Sequence, residues 1–147
     1  MARRLGRGHG VVPHALFASA RRAPSCPRSE SVPLRDDDGL VEEMRRLSGT
    51  ESAIPEDVEP IRMALPAIRA DYRAAETYVH EPGPNLRCPV GALVGDDDPK
   101  VTVEEARARS RHTDASSEFH VFPGGHFYLT SHQRQVFGLL TEEAARS

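Results

Sequence analysis

Three short apolar runs, each bounded by turn-forming residues, constrain the fold of this chain most strongly. They cover residues 14–20, 88–94 and 118–122, and each has the length of a buried strand rather than of a helix. Apolar residues at helical spacing lie between the first and second runs, and again after the second and third. This alternation predicts an α/β fold with about three parallel strands and flanking helices.

The segment between the first two strands is predicted to be a helical insertion. Three prolines and a charge run occupy residues 24–38, and apolar residues then recur every three or four positions over 40–47 and 58–79. Pro66 interrupts the second stripe. Because a proline inside a helix costs ~3 kcal/mol or more, we expect a break or kink just before it. The insertion is expected to cover about residues 36–80.

The remaining elements follow from local signals. Residues 1–12 are rich in Arg and Gly and have no apolar face, so a disordered or frayed N-terminus is expected. Thr102 and Glu105 match the capping-box pattern, which predicts a helix over about residues 103–111. A last helix is expected to begin at Thr130 or Ser131.

Composition excludes several classes of function. The 147 residues carry 22 acidic and 19 basic side chains without a basic stripe, so nucleic acid is not an expected partner. No run approaches the ~20 apolar residues of a membrane helix, and the Arg-rich start lacks the continuous apolar stretch of a secretory signal. We therefore expect no membrane partner and a cytoplasmic location. Cys26 and Cys88 lack a metal-ligand spacing and are interpreted as ordinary thiols.

Two loops that follow predicted strands carry side chains suited to acid–base chemistry. Asp96-Asp97-Asp98-Pro99 follows the second strand, and Pro99 biases Asp98 towards an extended backbone. Gly124-Gly125-His126 follows the third strand. Parallel sheets place ligands at the carboxyl ends of their strands, and an acid followed by a histidine is the chain order of an α/β-hydrolase triad. A solvated acidic turn and an ordinary loop histidine are the alternatives.

No metal or cofactor site is expected. Residues 36–38 form another acidic triplet, but it lacks the alternating ligands and closing Glu of a calcium loop. We interpret it as the start of the helical insertion. The histidines other than His126 form no pair at metal spacing on a predicted helix.

Five stretches, taken in order, resemble the C-terminal half of the type II thioesterases that accompany polyketide and non-ribosomal peptide synthases. They are PHALFASARRAP, EEMRRLSGT, LPAIRADYRAAETY, CPVGALVGDDDPKV and FHVFPGGHFYL. The resemblance covers about residues 13–140. It implies that residues 13–147 form a partial α/β-hydrolase domain and that the helical insertion is its lid.

The resemblance also implies an activity. Members of the family hydrolyse acyl groups from the phosphopantetheine arm of acyl or peptidyl carrier proteins, using a Ser–His–Asp triad and no cofactor. The family's acid maps best onto Asp98, with Asp97 a weaker choice, and its general base maps onto His126.

The family's nucleophile has no counterpart here. It lies in a Gly-x-Ser-x-Gly elbow before the sixth strand, and these 147 residues contain no such motif. Ser19, Ser25 and Ser131 stand near predicted element ends but lack the elbow context. We therefore expect a truncated gene product, a mis-called start codon or half of a split protein, with no enzymatic turnover by this chain alone.

Two other readings stay open. In one, the chain is a non-catalytic module whose stripe over residues 58–79 binds an acyl carrier protein or an acyl chain, or an inactive remnant. In the other, the chain is a general esterase of the same fold, because the triad chemistry is shared.

Overall fold

A parallel sheet forms the centre of the fold, as the alternation of elements predicts. The structure is a computed structural model that describes residues 2–28, 30–48 and 59–146. Its strands are β1 (Leu16–Ser19), β2 (Val90–Gly95) and β3 (Ser117–Phe122), in the order β1-β2-β3. Both strand pairs are parallel, with β2 between the other two.

Five α-helices accompany the strands in the described residues. They are α1 (Ala2–His9), α2 (Asp37–Ser48), α3 (Glu59–Glu76), α4 (Val103–Arg107) and α5 (Gln133–Ala144). Short 3₁₀ turns occur at Val32–Leu34, Ala108–His112 and Tyr128–Thr130. None of these helices is long and apolar enough to cross a membrane.

The chain divides into two compact units. One consists of Met1–Cys26 and Pro82–Ser147 and contains the sheet. The other, Pro27–Glu81, contains α2 and α3.

Side chains of β2 alternate between two apolar clusters, one on each face of the sheet. Leu93 packs with residues that include Tyr128 and Val136, the latter from α5. Val94 packs with Val101 and with Ala106 of α4. Every residue of β2 is buried, which explains why its sequence is a continuous apolar run.

The second unit uses the predicted helical stripe for its own core. Leu65 of α3 is buried with Leu40 and Val41 of α2, and Ile61 and Tyr72 pack against the same cluster. The stripe therefore supplies packing rather than an open groove, although Val79 at its end is 78% exposed. Gly49 and Val58, which bounded the predicted segments, lie outside the described residues.

Of the break or kink expected just before Pro66, the break does not occur. α3 is a single helix of 18 residues with Pro66 inside it. A proline removes one backbone hydrogen bond, but apolar side chains on both sides of it, Ile61 and Tyr72, pack against the same core cluster. This packing keeps both halves helical.

The N-terminal segment also differs from expectation. Ala2–His9 forms a helix where the composition predicted a frayed end. Arg, Ala and Leu all have high helix propensity, and the helix is closed by a hydrogen bond from Gly10 N–H to Gly6 O at 3.2 Å.

The capping box before α4 is confirmed. Glu105 N–H donates to Thr102 Oγ1 at 3.2 Å, and Thr102 N–H donates to Glu105 Oε2 at 2.9 Å. The α-helical part ends at Arg107 and the chain continues as a 3₁₀ turn to His112, close to the predicted span.

Candidate active site

The loops after β2 and β3 bring one acid and one histidine into contact. His126 Nδ1 lies 3.0 Å from Asp98 Oδ1 and 2.9 Å from Asp98 Oδ2. Because an ionised carboxylate can only accept, the imidazole proton belongs on Nδ1 in this arrangement. Asp97, the other candidate, is an exposed residue and does not make this contact.

Burial and backbone donors fix the Asp98 carboxylate. Its side chain is fully buried, whereas that of His126 is 21% exposed. Asp98 Oδ1 also accepts hydrogen bonds from Lys100 N–H at 2.8 Å and from Val101 N–H at 3.3 Å. These donors hold the carboxylate in one orientation, and they satisfy a group whose burial would otherwise be costly.

Two glycines allow the loops to approach this closely. A Cβ on Gly95 would lie 2.3 Å from Gly124 O and 2.4 Å from Gly125 O, closer than real Cβ contacts. Gly124 itself has a φ of +118°, which residues with side chains rarely adopt. Backbone bonds complete the junction, since Asp97 N–H donates to Gly124 O at 3.1 Å.

The end of β1 contributes a hydroxyl to the turn behind the histidine. Ser19 Oγ and Tyr128 Oη lie 2.6 Å apart. Burial raises the pKa of Tyr128 above its usual value, and the hydrogen bond with Ser19 partly offsets this rise. Tyr128 therefore stays a neutral hydrogen-bonding group. Sequence reasoning missed its contact with Ser19, which no local pattern signals.

The three serines considered as substitutes for the nucleophile do not bond to His126. Ser19 is engaged by Tyr128, and Ser25 Oγ lies 2.8 Å from His112 Nε2. Ser131 follows a 3₁₀ turn, and its N–H donates to Tyr128 O. The structure thus brings Asp98 and His126 together, and no serine of the described residues hydrogen-bonds to His126.

An apolar surface adjoins the imidazole. The Phe127 ring packs edge-on against His126, with ring centroids 5.3 Å apart, and Phe127 and Leu129 are each 41% exposed. The Phe127 ring therefore gives the imidazole an apolar neighbour that is partly exposed.

Nothing in the described ranges forms a group of three side chains that could hold a metal ion. The acidic triplet at residues 36–38 has a structural role instead. Asp36 Oδ1 accepts the Gly39 N–H at 2.8 Å where α2 begins, and Asp37 and Asp38 pair with arginines of α3. It therefore starts the helical insertion, as predicted.

Known proteins are similar to this chain in sequence. A family described as "Thioesterase domain" matches residues 1–143. Two similar relatives are "Probable cadicidin biosynthesis thioesterase" of Streptomyces griseus, 51% identical over 84% of this chain, and "Thioesterase PikA5" of Streptomyces venezuelae, 45% identical over 92%. The chain spans 34% and 48% of their respective lengths.

Solved structures extend the likeness to the fold. The type II thioesterase BorB from the borrelidin biosynthetic cluster superposes with a TM-score of 0.90 at 52% identity, over 97% of this chain and 58% of that one. ClbQ from the colibactin pathway gives a TM-score of 0.84 at 30% identity, over 99% of this chain and 62% of that one. The sheet, its flanking helices and these matches together show that the chain belongs to the thioesterase family of the α/β-hydrolase fold.

Proposed function

We propose that Asp98 and His126 are the acid and the general base of a hydrolase that cleaves acyl thioesters on carrier proteins of polyketide or non-ribosomal peptide synthases. The contact between His126 Nδ1 and both oxygens of the buried Asp98 carboxylate carries the proposal. The printed names support the substrate class, because two relatives are named as thioesterases of biosynthetic clusters or pathways and ClbQ is assigned to an NRPS/PKS pathway.

The geometry suits one half of the triad chemistry. The Asp98 carboxylate accepts a hydrogen bond from Nδ1–H of His126. The lone pair on Nε2 can therefore take a proton from a serine hydroxyl. The serine oxygen then bonds to the thioester carbonyl carbon, the carbon–sulfur bond breaks, and the imidazolium returns its proton to the departing pantetheine thiolate. Water deprotonated by His126 next attacks the acyl-serine, releasing the carboxylic acid and restoring the serine.

The proposal requires a serine from outside these 147 residues, because they contain no Gly-x-Ser-x-Gly elbow. This requirement makes the proposal testable by complementation. PikA5 is a suitable donor, since this chain matches 48% of its length at 45% identity.

The test compares the chain alone with the chain joined to the segment of PikA5 that lies outside the matched region. Thiol release is measured from an acyl-phosphopantetheine carrier protein and from the same acyl group on free pantetheine. We expect no turnover by the chain alone and measurable turnover by the joined protein, with a higher kcat/KM on the carrier protein. In the joined protein, His126→Ala should lower kcat by about 10³-fold or more.

His112→Ala provides the matched control, because His112 bonds to Ser25 and not to the acid. It should leave kcat of the joined protein near the unsubstituted value. Turnover that persists in the joined protein after His126→Ala would contradict the proposed base. Turnover by the chain alone that is lost in His126→Ala would show that the chain holds a nucleophile of its own.

A further inference from the structure

The three aspartates of the loop after β2 differ in what their side chains contact. The Asp98 carboxylate contacts Nδ1 of the His126 imidazole. Asp96 Oδ1 accepts a hydrogen bond from Gly124 N–H at 2.9 Å, which links the acid loop to the histidine loop. Asp97 makes its link through the backbone, because its N–H donates to Gly124 O. The three carboxylates are consecutive in the sequence, and the fold gives them separate contacts.

Gly124 is consequently held on both sides. Its N–H is bound by the Asp96 carboxylate and its C=O by Asp97 N–H, at a φ of +118°. Glycine has many accessible backbone conformations, so an unrestrained Gly124 would lose this one easily. His126 follows two residues later, and the direction of its side chain depends on the conformation of this turn.

We propose that Asp96 is a positioning residue that sets His126 against Asp98 by fixing the Gly124 peptide. This inference rests on the proposed role of His126 as the base. Asp96 is exposed at the carboxyl end of β2, so its carboxylate adds nothing to the apolar core and is free to act as a clamp. The required feature is an acceptor oxygen at one position, not the negative charge.

Three substitutions at Asp96 distinguish the effect of the position of its acceptor oxygen from the effect of its charge. Asp96→Asn keeps an acceptor oxygen at the same place without the charge. Asp96→Glu keeps the charge but moves the oxygens by one methylene, and Asp96→Ala removes both. Asp97→Ala is the matched control, because its neighbouring carboxylate is removed while the backbone bond to Gly124 O is retained.

The experiment uses the full chain labelled with ¹⁵N and does not depend on turnover. It measures hydrogen exchange of the Gly124 amide and the proton resonance of His126 Nδ1–H, which lies far downfield when bound to a carboxylate. In Asp96→Ala we expect Gly124 exchange to accelerate roughly tenfold, as for the loss of one hydrogen bond, and the Nδ1–H resonance to broaden or move upfield. Asp96→Glu should behave like Asp96→Ala, and Asp96→Asn and Asp97→Ala like the unsubstituted chain.

Several outcomes would overturn the inference. One is an unchanged Nδ1–H resonance in Asp96→Ala, even with a lowered melting temperature, because Asp96 would then be structural only. Another is an Asp96→Glu variant that behaves like the unsubstituted chain together with an Asp96→Asn variant that behaves like Asp96→Ala. The charge of residue 96, rather than the position of its oxygen, would then matter. If the unsubstituted chain shows no downfield Nδ1–H resonance, the Asp98–His126 pair itself fails, and both proposals fall together. A normal resonance that Asp96→Ala does not disturb leaves the proposed function intact.

Discussion

At the scale of single residues, the contact between Asp98 and His126 depends on glycine at position 95, where there is no room for a side chain. Gly95 ends β2, and a Cβ at this position would lie within 2.4 Å of the carbonyl oxygens of Gly124 and Gly125. These carbonyls belong to backbone that is already hydrogen-bonded to the acid loop, so they cannot retreat freely. A methyl group at this point would push apart the two loops that carry Asp98 and His126.

Gly95→Ala should therefore lower the free energy of unfolding by about 1–3 kcal/mol or more, through backbone displacement. It should also weaken the Nδ1–H resonance of His126. Gly138→Ala is the matched control, since a Cβ there meets nothing within 4 Å and the position lies inside α5. That change should stabilise the chain by about 0.5–1 kcal/mol. Equal effects of the two substitutions in urea unfolding would contradict the argument.

At the scale of elements, α3 shows how packing overrides a local breaker. Pro66 is exposed inside the helix, while Leu65 beside it is buried. Tyr72, two turns later, packs on the same core and lies near the buried Glu43 of α2. Burial raises the pKa of Tyr72 to about 12, with further contributions from the Glu43 and Glu30 carboxylates and an opposing one from Arg46.

This pKa predicts a loss of stability in alkali. The folded state holds Tyr72 neutral up to pH about 12, whereas the unfolded chain ionises it near 10. The contribution of neutral Tyr72 to the free energy of unfolding is thus fully present below pH about 10 and is lost as the pH rises towards 12. After allowance for solvent screening, this loss is on the order of 1 kcal/mol.

Chemical unfolding between pH 9 and about 12 measures this dependence. Tyr72→Phe should flatten the profile, while Tyr78→Phe, at a tyrosine that is 61% exposed, should leave it unchanged. Identical profiles for the unsubstituted chain and Tyr72→Phe would show that burial of Tyr72 does not shift its ionisation.

At the scale of the whole molecule, the sheet has an edge at β1. In the part of the chain that the structure describes, β1 pairs with β2 alone. Leu16 N–H donates to Pro89 O and Ala20 N–H donates to Leu93 O, so strand alternation turns the N–H groups of Phe17 and Ser19 away from β2. Such an edge is a template for pairing with another strand.

We expect the chain to self-associate as its concentration rises, with β1 edges pairing. Sedimentation velocity measures the association, and hydrogen exchange locates it. Protection of the Phe17 and Ser19 amides should increase with concentration. The amide of Ala18, which alternation directs towards β2, serves as the internal control and should not change. Association without added protection at Phe17 and Ser19 would place the contact elsewhere.

The sequence by itself determined the order of elements, because hydrophobic periodicity and turn residues are local signals. It predicted three strands, the capping box at Thr102 and a helical insertion, and the structure contains all of them. It also singled out Asp98 and His126, because an acid after one strand and a histidine after the next is a pattern that can be recognised from the order of residues in the chain. The family resemblance, confirmed by the match to residues 1–143, follows from the same local motifs.

Only the tertiary structure decided which atoms meet. Three contacts join residues that lie far apart in the chain: Asp98 with His126, Asp96 with Gly124, and Ser19 with Tyr128. A helix through Pro66 likewise depends on a core assembled from two helices and a 3₁₀ turn. Periodicity reports the face that a residue occupies, whereas these contacts depend on how strands and loops distant in sequence pack in space.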